Sequence, residues 1–379
     1  MLTDVRKALI GLVFTSTAGI GLAAWNGEPS QAQAPTPAPM VAGAPNQASA
    51  APPVEFVKPK LRLEMQTAFN PGVSVLGEGA RQFTRGVQAI SGGQLRLKML
   101  EAGGKVPSGD LLDAVVKGEI EAAYTHGGYA AAKSPALVLF ASMPFGPTPE
   151  EYVGWMIDGE GGKLHAELYE KLGVHAVFCG VGGPEAGGWF RSEINGVTEF
   201  KGMRLRYGGM AAEVLARFGA VVVSGPAGEV FQKLEQGKLD GAEYSMPSID
   251  RGRGFEKLGL FYYFPGWHQP GSVTDFYMRK DRWDALQPEQ RVWIETACRA
   301  NVAWTMARAP GEQARAVAFF RAAGISLRSW SPATLDALRE TATEVLNDHA
   351  DKDPDVRRTR DNMRAYLDAT RAWRRLSQP

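Results

Sequence analysis

The feature that most constrains this chain is an internal repeat. Pro107, Gly109, Asp110, Val115, Gly118, Ile120, Glu121 and Ala123 recur as Pro226, Gly228, Glu229, Leu234, Gly237, Leu239, Asp240 and Ala242, at a constant offset of 119 residues and without a gap. Each copy reads as a turn, a helix, a glycine stop and a buried strand. The acidic residue that opens each helix suits the positive end of the helix dipole. An ungapped match over so many positions argues against a chance likeness between two ordinary strand–helix units. Duplicated units in separate halves of a chain predict two lobes of similar build.

The surrounding pattern agrees. Residues 61–65 (LRLEM) alternate as a strand does, 77–90 place Phe83, Val87 and Ile90 on one helix face, and 94–100 alternate again. Residues 111–116 read as a helix stopped at Gly118, and 120–124 return to a strand. Strands alternating with helices predict an α/β chain, here a two-lobed fold with a hinge. Residues 291–321 carry apolar side chains at helical spacing, and 333–376 are amphipathic and charged, so the C-terminal part reads as bracing helices. Open α/β sheets bind ligands beyond the carboxyl ends of their strands. Those ends place Phe69 and Asn70, Thr125, His126 and Tyr129, and Glu243 and Tyr244 at a cleft between the lobes.

With 379 residues the chain exceeds what one core usually holds. Its 42 basic and 41 acidic residues leave a net charge of +1, without the basic excess that a nucleic-acid partner demands. The five histidines are scattered, with no zinc-binding spacing. Cys179 and Cys298 read as two buried small hydrophobes rather than a disulfide, because a domain of this size needs no staple. Arg6 and Lys7, the uncharged stretch 8–25 and Ala32-Gln33-Ala34 read as an export signal, so 1–34 is expected to be a signal peptide or a retained N-terminal anchor. Residues 35–57, rich in Ala and Pro, cannot bury a core and read as a disordered linker. The fold is expected over 58–379: a first lobe at 58–183 to which later segments return, a second lobe at 184–280, and helices over 281–379. The export signal puts the body of the chain, by expectation, in the periplasm, and no later segment is apolar enough to span a bilayer.

Several motifs carry a resemblance. The segment KGMRLRYGGMAAEVLARFGAVVVSGPAGEVFQKLEQGKLDGAEYSMPSID (201–250), with GGWFRSEI (187–194), KSPALVLFASMPFG (133–146) and FPGWHQPG (264–271), resembles the DctP-type solute-binding proteins of TRAP transporters. The likeness runs from about Leu61 to Leu327, and particularly to the branch that binds 2-oxo or 2-hydroxy monocarboxylates with a metal cation. It implies capture of a small carboxylate, TRAP membrane subunits as partners, and no catalysis. It also implies that Arg206 grips the ligand carboxylate, a role for which a guanidinium's paired donors are suited. By the same resemblance a sodium or calcium ion is held by Glu185, Glu243, the main-chain carbonyl of Tyr244 and Gln269. Two of these depart from the family pattern: a glutamine is usual at Glu185 and a glutamate at Gln269. The departures cancel in charge, and hard cations depend on oxygen donors and charge count. The alternative is that the cation is lost and Glu185 pairs with Arg191 or Arg206. Tyr244 stands where tryptophan is usual. Arg191 is a second arginine for ordering the cleft, Trp267 and His268 are pocket-wall candidates, and Thr125 and Tyr129 offer hydroxyls from the other lobe. The C-terminal helices brace both lobes in the family and in some members mediate a homodimer; packing on their own domain remains open.

Two other readings stay in view. An enzyme would need an acid–base pair such as Glu185 and Glu243, but no GxSxG, HExxH, strand-borne GxGxxG or P-loop is present. A sensory or scaffold protein of the same fold would couple to a receptor instead of a transporter.

Overall fold

The alternating and helical patterns of the N-terminal half become five successive elements: β1 (Leu61–Thr67), α1 (Leu76–Ile90), β2 (Leu95–Leu100), α2 (Leu111–Lys117) and β3 (Ala122–Thr125). A computed structural model describes residues 59–377, apart from Ser224 and Pro226. The signal or anchor read at 1–34 and the linker read at 35–57 lie outside the described residues. Next come α3 (Pro149–Ile157), α4 (Gly161–Lys171) and β4 (Val174–Gly182). The second half contains β5 (Gly188–Phe190), β6 (Arg204–Arg206), α5 (Gly209–Arg217), β7 (Val221–Val222), α6 (Val230–Glu235), β8 (Gly241–Ala242), α7 (Pro247–Asp250) and β9 (Phe261–Phe264). The chain closes with β10 (Ser272–Arg279), α8 (Lys280–Asp284), α9 (Pro288–Ala322), β11 (Ser326–Ser329), α10 (Pro332–Lys352) and α11 (Pro354–Ser377).

The strands form two sheets, ordered β2-β1-β3-β10-β4 and β11-β9-β5-β8-β6-β7. In the first, β1 is parallel to β2 and β3; in the second, β6 is parallel to β7 and β8. The orders β2-β1-β3 and β7-β6-β8 are the same motif, so the repeat seen in sequence extends to a whole β-α-β-α-β unit. Its details match as well. A single 3-10 turn precedes each second helix, at Ser108–Asp110 and Ala227–Glu229, and Gly118 and Gly237 end those helices with φ of 79° and 69°. A left-handed residue at a helix end is where glycine is favoured.

The chain passes from the first sheet to the second after β4 and returns as β10, which pairs antiparallel with both β3 and β4. The assignment of 184–280 to the second lobe is corrected here: 272–279 form an interior strand of the first sheet, buried at seven of eight positions. Nor are residues beyond 280 only helical, because β11 supplies an edge strand to the second sheet.

Helix α9 spans both lobes. Asn301 Nδ2 donates to the Cys179 carbonyl at 2.6 Å, and Val181 N–H donates to Thr305 Oγ1 at 3.0 Å, both in the first lobe. Two turns later Gln313 accepts from Ser248 N–H at 2.9 Å, and Phe320 packs edge-on against Trp189 and Tyr262, all in the second. The reading of the cysteines as unbridged is also overturned. Both are fully buried, and a disulfide joins Cys179 on β4 to Cys298 on α9. The size argument addressed whether a bridge was needed; what decides is that the strand and the bracing helix put the two sulfurs side by side.

Candidate functional site

The carboxyl ends of β1 and β3 face those of β6 and β8 across a cleft of about 580 Å³. Arg206 is the last residue of β6. Glu243 N–H donates to its carbonyl at 3.1 Å, extending the β6–β8 pairing by a residue and setting the two side chains together. The Arg206 guanidinium then donates through Nη1 to Glu243 Oε1 at 2.5 Å and to the Glu243 carbonyl at 3.3 Å.

Glu185 enters from the crossover after β4, and the 265–269 turn holds it. Its N–H donates to the Gln269 carbonyl at 3.1 Å. Its carboxylate accepts from Ser245 Oγ at 3.2 Å, Gln269 Nε2 at 3.0 Å and His268 Nε2 at 3.0 Å. The last contact requires the proton of His268 on Nε2. Glycine at 266 is required by close approach: a Cβ there would lie 2.2 Å from the Glu185 carbonyl oxygen. Oxygen or nitrogen atoms of Glu185, Glu243 and His268 all lie within 4.8 Å of one another.

Burial is the largest influence on Glu243 and pushes its carboxyl up; Arg206 opposes this, the neighbouring Glu185 adds to it, and His268 and the Gly208 N–H oppose it, leaving a net rise. Two carboxylates drawn together away from water in this way form a donor set that fits a cation, whose charge relieves their repulsion. The opposite wall is aromatic. Phe69 stacks on His126 at 5.9 Å, and His126 lies 4.6 Å from Tyr129. His126 Nδ1 accepts the Gly128 N–H at 3.0 Å, and burial lowers the histidine's pKa, favouring the neutral ring.

Arg206, Glu185, Glu243, Tyr244 and Gln269 therefore share one cleft with Asn70 and Tyr129. Three expected ligand contacts fall elsewhere. Thr125 is buried where β3 pairs with β10, outside the cleft wall. Arg191 is exposed and donates to the Leu239 and Glu235 carbonyls, at and beyond the end of α6. Trp267 is buried behind the turn, stacked with Phe145 and Tyr207. Pairing of Glu185 with Arg191 or Arg206 is not what the structure shows, since Arg206 takes Glu243 and Arg191 caps a helix. Gln269 faces Glu185 through its amide nitrogen, whereas His268, read only as a wall residue, joins the carboxylates directly. Arg253 also lines the cleft and was missed; in RGRGFEK it looks like an ordinary solvated loop.

The family model for bacterial extracellular solute-binding proteins, family 7 (DctP), matches residues 68–353. The chain belongs to this family. The DctP-family chain is also 28% identical over 320 residues to the monocarboxylate 2-oxoacid-binding periplasmic protein of Nostoc sp., covering 84% of this chain and 88% of that one. Among solved structures, it superposes with TM-score 0.80 on a TRAP periplasmic solute-binding protein from Colwellia psychrerythraea with bound calcium and pyruvate. That match has 26% identity and covers 84% of this chain and 98% of the other. A TRAP solute-binding protein from Bordetella bronchiseptica, a mixed-occupancy dimer with calcium and picolinate in one site, also gives TM-score 0.80, at 25% identity over 85% of this chain and 96% of that one. A further one, from Pseudoalteromonas atlantica, with sodium and pyruvate, gives 0.79 at 25% identity over 84% and 97%. Among the described residues of this DctP-family protein, no helix is long and apolar enough to cross a membrane.

Proposed function

We propose that this chain is the periplasmic solute-binding subunit of a TRAP-type transporter, which captures a small 2-oxo or 2-hydroxy carboxylate with a bound cation and catalyses no reaction. The observation that carries the reading is the convergence of Arg206, Glu243, Glu185 and Gln269 at the strand ends of the second lobe, facing the first. Arg206 is half-buried and offers paired donors to a carboxylate. Glu185 and Glu243, with the Tyr244 carbonyl and a Gln269 amide turned to present its oxygen, would hold calcium or sodium. That ion would supply positive charge to the ligand's oxygens. Asn70 and Tyr129 face the bound acid from the first lobe. Closure of the lobes, linked by the two β crossovers and α9, then removes these charges from water and creates the form that the membrane subunits recognise.

The test is titration calorimetry of Arg206→Ala with pyruvate. Removing one partner of a buried charge pair forfeits roughly 3–5 kcal/mol, more than a hundredfold in affinity. Arg191→Ala, at the end of α6, should leave affinity unchanged. Equal binding by the natural chain and Arg206→Ala would refute the assignment.

A further inference from the structure

A second cavity, of about 210 Å³, lies away from the cleft, between Phe145 and its neighbours, α10 and α11. The two helices are fastened to different lobes. Helix α10 is held to α5 of the second lobe: Glu344 and Asp348 accept from Arg217, and His349 Nε2 bonds Glu213 at 2.8 Å. Helix α11 is held to α3 of the first: Asn362 accepts from Trp155 Nε1 at 2.8 Å, and Arg371 donates to Glu151 at 2.8 and 2.9 Å. A molecule bound between α10 and α11 therefore touches parts of both lobes.

The lining joins positive charge to an apolar floor. Met143, Phe145, Leu346, Met363 and Leu367 supply the floor, and Arg339, Arg360, Arg364 and Arg371 the charge. Arg371 is committed to Glu151, and Arg360, whose side chain is only 14% exposed, to Asp361 and to Asn347 at 3.0 Å. Arg339 and Arg364 are different: among the described residues, no carboxylate lies within 4.0 Å of either. Arg339 sits over the Phe145 ring at 4.3 Å, which leaves its edge donors open. Against these two guanidiniums the lining holds one acid, Asp368. Guanidiniums in excess beside aliphatic, thioether and aromatic side chains fit an anion with an apolar body; a bare inorganic anion would leave the floor uncovered. Phe145 ties the cavity to the cleft. It is held at φ 54°, in the left-handed region that a bulky residue adopts only where its surroundings impose it. Its N–H donates to the Trp267 carbonyl at 2.7 Å and its ring stacks on Trp267, whose neighbours His268 and Gln269 hold Glu185.

We infer that this cavity is a second binding site, for an organic monoanion with an apolar body such as an aromatic carboxylate, and that its occupant alters capture of the acid in the cleft. The site stands on its own geometry; its effect on the cleft rests on the proposed function. The probe is benzoate, titrated by calorimetry into the full chain carrying Arg206→Ala, so that the cleft does not compete for the carboxylate. Benzoate should bind there, and benzamide, of the same shape but uncharged, at least tenfold more weakly, the scale of a charge-assisted hydrogen bond. Adding Arg364→Gln to that chain should cost benzoate at least tenfold, and Arg364→Lys should recover part of the loss. In the chain with Arg206 intact, saturating benzoate should shift pyruvate affinity about fivefold or more, and pyruvate should shift benzoate affinity by the same factor; in Arg364→Gln the shift should vanish. No benzoate binding, or binding that Arg364→Gln leaves intact, would overturn the site. An effect on pyruvate that persists in Arg364→Gln would be competition in the cleft and would overturn the coupling. Pyruvate that does not bind would overturn the proposed function and the coupling with it, while the benzoate titrations still decide the site.

Discussion

The bond between Cys179 and Cys298 closes a loop of 119 residues that contains most of the second lobe. Replacing both cysteines by alanine lets the unfolded chain recover the entropy which that loop removes. For a loop of this length the chain-entropy relation gives about 5 kcal/mol at 25 °C, and measured losses for native bridges run from roughly 2 to 5 kcal/mol. Unfolding entropy is roughly 2.1 cal/mol/K per residue, or about 0.7 kcal/mol/K over the roughly 320 described residues. The melting temperature should therefore fall by about 3–7 °C. Scanning calorimetry of the natural chain and the Cys179→Ala/Cys298→Ala variant reads this directly, with a thiol titration in denaturant as a check. Because β4 and α9 also touch through Asn301 and Thr305, the variant should still fold and bind. An unchanged melting temperature, or two free thiols in the natural protein under denaturant, would refute the reasoning.

Two further outcomes follow from local geometry. Burial alone would raise the Glu151 carboxyl, but Arg371 from α11, which donates to it at 2.8 and 2.9 Å, and the Thr148 N–H bring it below its ordinary value of 4.5. A depressed carboxyl stabilises the fold above the unfolded value and loses that contribution as pH falls through the folded one. The melting-temperature gap between the natural chain and Glu151→Gln should thus be widest above pH 4.5 and close on further acidification; a gap independent of pH would contradict this. Gly266→Ala forces the Glu185 backbone to move, because the new Cβ would sit 2.2 Å from its carbonyl oxygen. Overpacking of this kind costs roughly 1–3 kcal/mol of stability, and the displaced Glu185 carboxylate should lower carboxylate affinity in calorimetry; unchanged affinity would show that the turn does not position Glu185.

Much of this was legible in sequence because the responsible physics is local. Period-two alternation fixed β1 and β2, the spacing of Phe83 and Val87 fixed one face of α1, and the glycines at 118 and 237 marked helix ends. The ungapped repeat exposed the duplicated unit, and with it the strand end that carries Glu243, whereas Arg206 was singled out by the family resemblance. What escaped depends on distant pairing. The disulfide needs β4 and α9 to be neighbours. Strand β11 reads SLRS, with no apolar alternation, and forms only because β9 offers it an edge. Thr125 stands at a strand tip, where a cleft residue is expected, but β10 covers it. His268 and Arg253 carry no local mark of function; only folding brings one to Glu185 and the other over Tyr244.

The most direct test of the account is calorimetric titration of the refolded protein with pyruvate and longer 2-oxo acids, in calcium or sodium and again after chelation in a buffer free of both ions. The account predicts binding of a 2-oxo acid that weakens when the ions are removed, because Glu185 and Glu243 then face each other and the ligand without an intervening positive charge. Binding of equal strength with and without the cations would contradict the cation site, and no binding of any 2-oxo acid would contradict the central claim.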